Sequence, residues 1–168
     1  LCTVFTSIAG FFTAKFKMHP FISTMANMLV IFGLVTYATK GVSFGSIEAT
    51  IPNMIIPKVN GFPTIILWAL AAIIIVWFIW NKTAFGKNMF AVGSNPEAAN
   101  VSGVNVAKTI ILVHTLAGAM YAITGFIESA RIGSNQAGTG LNYECDAIAA
   151  CVIGGVSFVG GTGKIRGV

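Results

Sequence analysis

Few residues in this 168-residue chain have chemistry to offer, so each can be weighed by itself. His114 is an ionisable residue deep in an apolar run. Such a group suggests a proton relay, and the simpler alternative is a neutral imidazole bonded to a neighbouring helix. Glu144 and Asp146 flank Cys145. Two carboxylates could share acid/base work, but no partner histidine lies near them in sequence, which favours an external-surface or gating contact. Glu128 and Arg131 have the i, i+3 spacing of a helical ion pair, and could form a gate at an external mouth or a brace at a helix end. The stretch Gly160-Gly161-Thr162-Gly163-Lys164 invites a phosphate-loop reading and fails it. GxxxxGK[ST] needs glycine where Phe158 stands and Ser or Thr where Ile165 stands. Cys2, Cys145 and Cys151 are odd in number and contain no CxxC, so they read as small apolar residues. His19 and His114 supply no ligand cluster. No catalytic residue, metal site or cofactor site is expected on this chain.

The elements that must carry these residues follow from composition. Hydrophobic residues make up 55% of the chain and charged residues 9%, where a soluble domain has about 25% charged. That balance excludes a disordered segment, a soluble nucleic-acid binder and a secreted disulfide scaffold. It leaves an integral membrane protein in the lipid bilayer: all-α, a polytopic transmembrane helix bundle forming one domain over residues 1–168. The net charge of +5 then bears on orientation, because basic residues gather in cytoplasmic loops.

A crossing takes about 20 apolar residues. Residues 62–80 form one candidate span, uncharged and rich in tryptophan toward its ends. Residues 20–39 form another, whose Ser23, Thr24, Asn27 and Thr36 suit a helix packed inside a bundle. Residues 109–128 form a third, holding His114 and closed by Glu128. Residues 1–14 read as part of a span, and the chain as an internal fragment of a longer protein. The run 147–163 is short, and Gly154, Gly155, Gly160 and Gly161 weaken its helical propensity; a short crossing and a re-entrant segment both remain open. Lys15 and Lys17, with Lys82, Lys87 and Lys108 two crossings later, put those two loops inside. The loops 40–61 and 129–146 are then outside.

The connection 81–108 is longer than two helices need. Within it Asn95 suits an N-cap, Pro96 a first helical position, Glu97 the positive end of a helix dipole and Gly103 a C-terminal stop. About two turns of helix are expected on the cytoplasmic face. Ala98, Ala99 and Ser102 leave room for close approach, either by a partner protein or by the chain itself.

Gly86-Lys87-Asn88, Ala91-Val92-Gly93, Asn95-Pro96-Glu97-Ala98-Ala99 and Ser102-Gly103 together resemble the coupling loop of the permease subunits of bacterial ABC sugar importers, in the ribose/galactose group. Ala130-Arg131-Ile132-Gly133-Ser134, Tyr143-Glu144, Asp146 to Ala150, and Gly154-Gly155 extend the likeness over most of the chain. His19-Pro20-Phe21-Ile22 and the wording of residues 80–88 sit nearest the galactose/methyl-galactoside members. Ser94 departs from the family, which usually has a second glycine there, and Cys145 replaces an aliphatic residue.

The resemblance implies a permease subunit of an ATP-driven monosaccharide importer in the bacterial inner membrane, with ribose or another monosaccharide as the alternative cargo. It implies a second permease subunit, making a homodimer, and an ATP-binding subunit seated on the 86–103 loop and carrying ATP and Mg. It also implies a periplasmic sugar-binding protein, and no nucleic acid. The coupling residues would be Gly86, Lys87, Asn88, Gly93, Asn95, Pro96, Glu97, Ala98, Ala99, Ser102 and Gly103. A rival class, an ion-coupled secondary transporter, rests on His114.

Overall fold

The structure, a computed structural model, describes residues 1–43, 57–59, 62–157 and 159–167. The outer loop expected at 40–61 therefore lies largely outside the described residues, as does residue 158 of the glycine-rich run. Among the described residues seven α-helices carry the fold. They are α1 (Cys2–Phe16), α2 (Pro20–Thr39), α3 (Ile65–Lys82), α4 (Ala84–Ser94), α5 (Pro96–Val101), α6 (Val106–Ile132) and α7 (Tyr143–Ile153). A two-residue antiparallel ladder, β1 (Lys58–Val59) against β2 (Phe62–Pro63), leads into α3. A single 3₁₀ turn, Ile165–Gly167, ends the described chain. The molecule is an all-α membrane-type bundle.

Three helices, α2, α3 and α6, are long and apolar enough to cross a membrane by length and composition. At 1.5 Å per residue they measure about 30, 27 and 40 Å against a hydrocarbon core of about 30 Å. The helix expected over 62–80 begins three residues later, because Phe62 and Pro63 pair with Lys58 and Val59 instead. The helix expected over 109–128 extends at both ends. Asn105 caps its start, its side chain accepting from Lys108 N at 2.9 Å. Gly133 in the left-handed region (φ 74°) closes it.

The central contact is α1 lying along α6. Its cause is small residues, which let two backbones approach where no hydrophobic drive separates helix from lipid. Gly10 lies under His114: a Cβ built there would fall 2.8 Å from His114 Cβ. Gly118 lies under Thr3 and Thr6, with Thr3 Cα 2.9 Å from the Cβ that glycine lacks. Between these two points Ser7 and Thr115 share a hydrogen bond of 2.8 Å. α2 joins through Ser23, whose buried hydroxyl donates to Ala9 O at 3.2 Å. Among the described residues the buried apolar ones are few and small, Ala9, Val92, Ala99 and Ala130. No residue of α3 is buried. A helix apolar on all sides is suited to lipid or to further protein.

The last run is not one continuous helix. α7 has 11 residues, about 16 Å at helical rise, and stops at Gly154. Gly155 (φ 83°) takes the left-handed position, while Val156 N reaches back to Cys151 O at 3.0 Å. The chain then doubles back. Ser157 N donates to Thr162 O at 3.0 Å. Gly163 sits against Val156, and Gly167 sits against Gly154. α7 with residues 154–157 and 159–167 thus forms a helix-plus-hairpin unit.

Candidate functional site

The connection between α3 and α6 is built of two helices where sequence suggests one. α4 is the addition, and tertiary contacts hold it. Thr83 ends α3 and starts α4 at once: its hydroxyl donates to Ile79 O at 2.5 Å and accepts from Gly86 N at 3.2 Å. Gly86 is buried directly beneath the last turn of α3, with Ile79 O 2.7 Å from where a Cβ would stand. Phe90 meets Trp80 edge-to-face at 5.7 Å between centroids. A side chain at 86 would push α4 off α3, which is the reason for glycine inside this helix. Lys87 faces solvent.

α5 follows its local signals closely. Asn95 Oδ1 accepts from both Glu97 N and Ala98 N at 3.0 Å, and Pro96 fills the first position. At the other end Gly103 N bonds Asn100 O and Val104 N bonds Ala99 O, both at 3.0 Å, with Gly103 at φ 84°. That is a Schellman close, which requires a left-handed residue at this point. Ala99 is buried and anchors the helix; Asn95, Pro96, Glu97, Ala98 and Asn100 are exposed, and Val101 is 90% exposed. An exposed, doubly capped helix with an apolar residue outward offers a rigid surface for a partner. Asn88 is half-buried, and Ser102 turns its hydroxyl to Ala98 O at 2.9 Å.

Gly93 and Ser94, at the end of α4, touch the tip of the glycine-rich hairpin. A Cβ at Gly93 would lie 2.7 Å from Gly161 N, and one at Gly160 would lie 3.1 Å from Gly93 O. Ser94 Oγ donates to Gly161 O at 3.4 Å. Residues 67 apart in sequence meet here with no local signal to announce it.

At the far end of α6, Arg131 grips Glu128 with two bonds, Nε to Oε2 at 2.9 Å and Nη2 to Oε1 at 2.6 Å. Tyr143, first residue of α7, donates to Glu128 Oε1 at 3.3 Å. The expected pair therefore forms and also ties α6 to α7. Glu144 and Asp146 stand in the first turn of α7, where a helix dipole favours carboxylates. Beside them a polar cavity of about 380 Å³ is lined by Ser134, Asn135, Gln136, Thr139 and Tyr143.

His114 departs from expectation. Its Nδ1 pairs with Ile110 O at 2.9 Å on its own helix, not with a neighbour. The ring's contact with α1 is steric, over Gly10. The helix itself supplies the partner of one nitrogen of this imidazole, as it does for the hydroxyl of Thr115. Among the described residues no three of His, Cys, Asp and Glu gather as metal ligands would.

Three apolar helices of crossing length, two of which, α3 and α6, are joined by an exposed helical connection, define a multi-pass membrane protein. The chain belongs to the family described as the branched-chain amino acid transport system permease component, whose family model matches residues 1–168. It is 47% identical over 176 residues to the galactose/methyl galactoside import permease protein MglC of Treponema pallidum, a match covering 99% of this chain and 33% of that protein. It is 44% identical to the Escherichia coli protein of the same name, over 96% of this chain and 50% of that one. The ribose import permease protein RbsC of Bacillus subtilis is 36% identical, over 94% and 50% respectively. The chain thus spans between a third and half of the length of these relatives. No solved structure matches.

Proposed function

We propose that this chain is part of the membrane-spanning permease subunit of an ATP-driven importer that carries a monosaccharide, of galactose or methyl galactoside type, across the bacterial inner membrane. The family description speaks of amino acids, whereas the relatives above are named for sugars, and their identity of 36 to 47% over nearly the whole chain favours the sugar. Ribose is the alternative cargo within the same reading. The observation that carries the proposal is the capped, outward-facing α5 braced by α4 between α3 and α6.

In this reading α4 and α5 seat the ATP-binding subunit, which supplies ATP, Mg and hydrolysis. A second permease copy completes the pathway, and a periplasmic sugar-binding protein docks on the side of Glu128, Arg131, Glu144 and Asp146. Closure of the ATPase would push α4 and α5 and tilt α3 and α6 as rigid bodies between inward- and outward-open states. His114, bonded to its own helix, gives an ion-coupled mechanism no support.

The test uses the full-length permease reconstituted with its ATP-binding subunit. Ala98→Cys, with Cys2, Cys145 and Cys151 replaced, is expected to crosslink to cysteines placed along the ATPase surface, with a yield that changes on ATP addition. Absence of any crosslink, with the introduced thiol equally reactive to a soluble reagent with and without ATP, removes the coupling role.

A further inference from the structure

We infer that the contact of Gly93 and Ser94 with Gly160 and Gly161 is a mechanical joint, through which α4 and α5 move the α7 hairpin and so reach the opposite end of α6. The inference rests on the coupling reading of α4 and α5 and adds the route by which their displacement travels.

Three observations carry it. The first is the contact itself, in which backbone meets backbone without an intervening side chain. The missing Cβ of Gly93 would lie 2.7 Å from Gly161 N, and that of Gly160 would lie 3.1 Å from Gly93 O. At Gly93 and Gly160 no side chain stands between the two surfaces, and the short Ser94 side chain alone accompanies them at Gly161, so displacement of one is delivered to the other with little damping.

The second is the stiffness of what lies beyond. The hairpin is cross-braced by Ser157 N to Thr162 O at 3.0 Å and by the seating of Gly163 on Val156 and Gly167 on Gly154. It continues through the closed turn at Gly155 into α7. The third is the anchor at the other end, where Tyr143 bonds Glu128 beside Arg131. Val106 and Glu128 are separated by about 33 Å along α6 at helical rise. α7 with residues 154–157, bonded through Ser157 to Thr162 and packed through Val156 on Gly163, therefore ties the connecting-helix end of α6 to its far end by a second path, outside α6 itself. Among the described residues one hydrogen bond spans the joint, Ser94 Oγ to Gly161 O at 3.4 Å. A contact stiff in compression and weakly bonded transmits a push and releases on withdrawal, as a reversible cycle requires.

The experiment uses the full-length permease with its ATP-binding subunit in proteoliposomes. Exposed Cys145, on α7, is the reporter, with Cys2 and Cys151 replaced. Its labelling rate by a soluble maleimide is expected to change on ATP addition by about fivefold or more, the lower range of a typical coupling between sites. Gly93→Ala places a methyl against Gly161 N in a helical conformation that alanine accepts. It is expected to abolish that ATP dependence while the Ala98→Cys crosslink to the ATP-binding subunit persists in the Cys145-replaced background. Gly125→Ala, which meets nothing within 4 Å, is expected to leave both readouts as they were.

A Cys145 response to ATP that is unchanged in Gly93→Ala overturns the joint. So does a response equally lost in Gly125→Ala. Loss of the Ala98→Cys crosslink in otherwise unaltered protein overturns the coupling reading beneath it. Should Gly93→Ala fail to assemble, Ser94→Ala carries the test. It deletes only the hydroxyl and is expected to reduce the ATP response about twofold or more, in line with a single weak hydrogen bond; an unreduced response counts against the joint.

Discussion

At the scale of single residues, the glycines of this chain differ in what surrounds them, and the difference predicts their tolerance. Gly118 of α6 faces Thr3 Cα at 2.9 Å from its absent Cβ, with the Thr6 hydroxyl closer still. Gly125, two turns on, meets nothing within 4 Å. Gly118→Val forces α1 off α6 and breaks the register that lets Ser7 reach Thr115. Overpacking of this kind costs about 1–3 kcal/mol. Gly125→Ala relieves backbone entropy at an open helical site and gains about 0.4–1 kcal/mol. Unfolding of the purified protein in detergent, followed by circular dichroism against added SDS, is expected to move in opposite directions for the two. Equal midpoints would show that α1 and α6 do not meet through Gly118. The sequence marks both residues only as glycines in an apolar run, because nothing within either helix says which face meets α1.

Among the elements, α5 and α4 are unequally readable for a physical reason. α5 is written in residues that act within one turn: Asn95 as cap, Pro96 behind it, Gly103 past its end. Such signals are local, so the sequence carries them whole. α4 holds Gly86 and Gly93 in its 11 residues, which reads as loop, and it is held by Trp80, Ile79 and the hairpin tip, none of which is visible as spacing. The glycine-rich run is legible as a place where a helix breaks, at Gly154 and Gly155, but not as a hairpin meeting α4. The Glu128 and Arg131 pair is legible from i, i+3 spacing, while Tyr143, 15 residues on, is not. That pair also yields a prediction. Arg131 is 55% exposed and Glu128 20%, so the bond is worth about 0.2–1 kcal/mol. Arg131→Gln is expected to lower unfolding stability by no more than that. Transport in proteoliposomes that falls tenfold or more at that small stability loss would mark a gate; transport that follows stability would mark a brace.

The molecule as a whole presents more apolar surface than its own helices cover. α3 buries no residue, and α2 buries Ser23 alone. Exposure alone does not separate lipid from protein as the covering, but polar groups at membrane depth do. Thr36 Oγ1 and Trp80 Nε1 are shielded from solvent and have no hydrogen-bond partner among the described residues. Asn27, mid-way along α2, is half-buried, and no described residue bonds its amide. Lipid cannot satisfy an amide, and an unmet polar group in hydrocarbon is costly. α2 therefore expects protein against the face that carries Asn27, from the remainder of a longer chain such as its relatives have or from a second copy. The consequence is a contrast between two preparations. In the isolated 168-residue chain, Asn27→Leu exchanges an unpartnered amide for an apolar side chain and is expected to leave SDS-unfolding stability unchanged or raised. In the full-length assembly the same substitution is expected to remove an interhelical hydrogen bond, of a kind that averages about 0.6 kcal/mol in membrane proteins and reaches about 1.7, and to lower stability by that amount. A substitution neutral or stabilising in both preparations would place the Asn27 face of α2 in lipid.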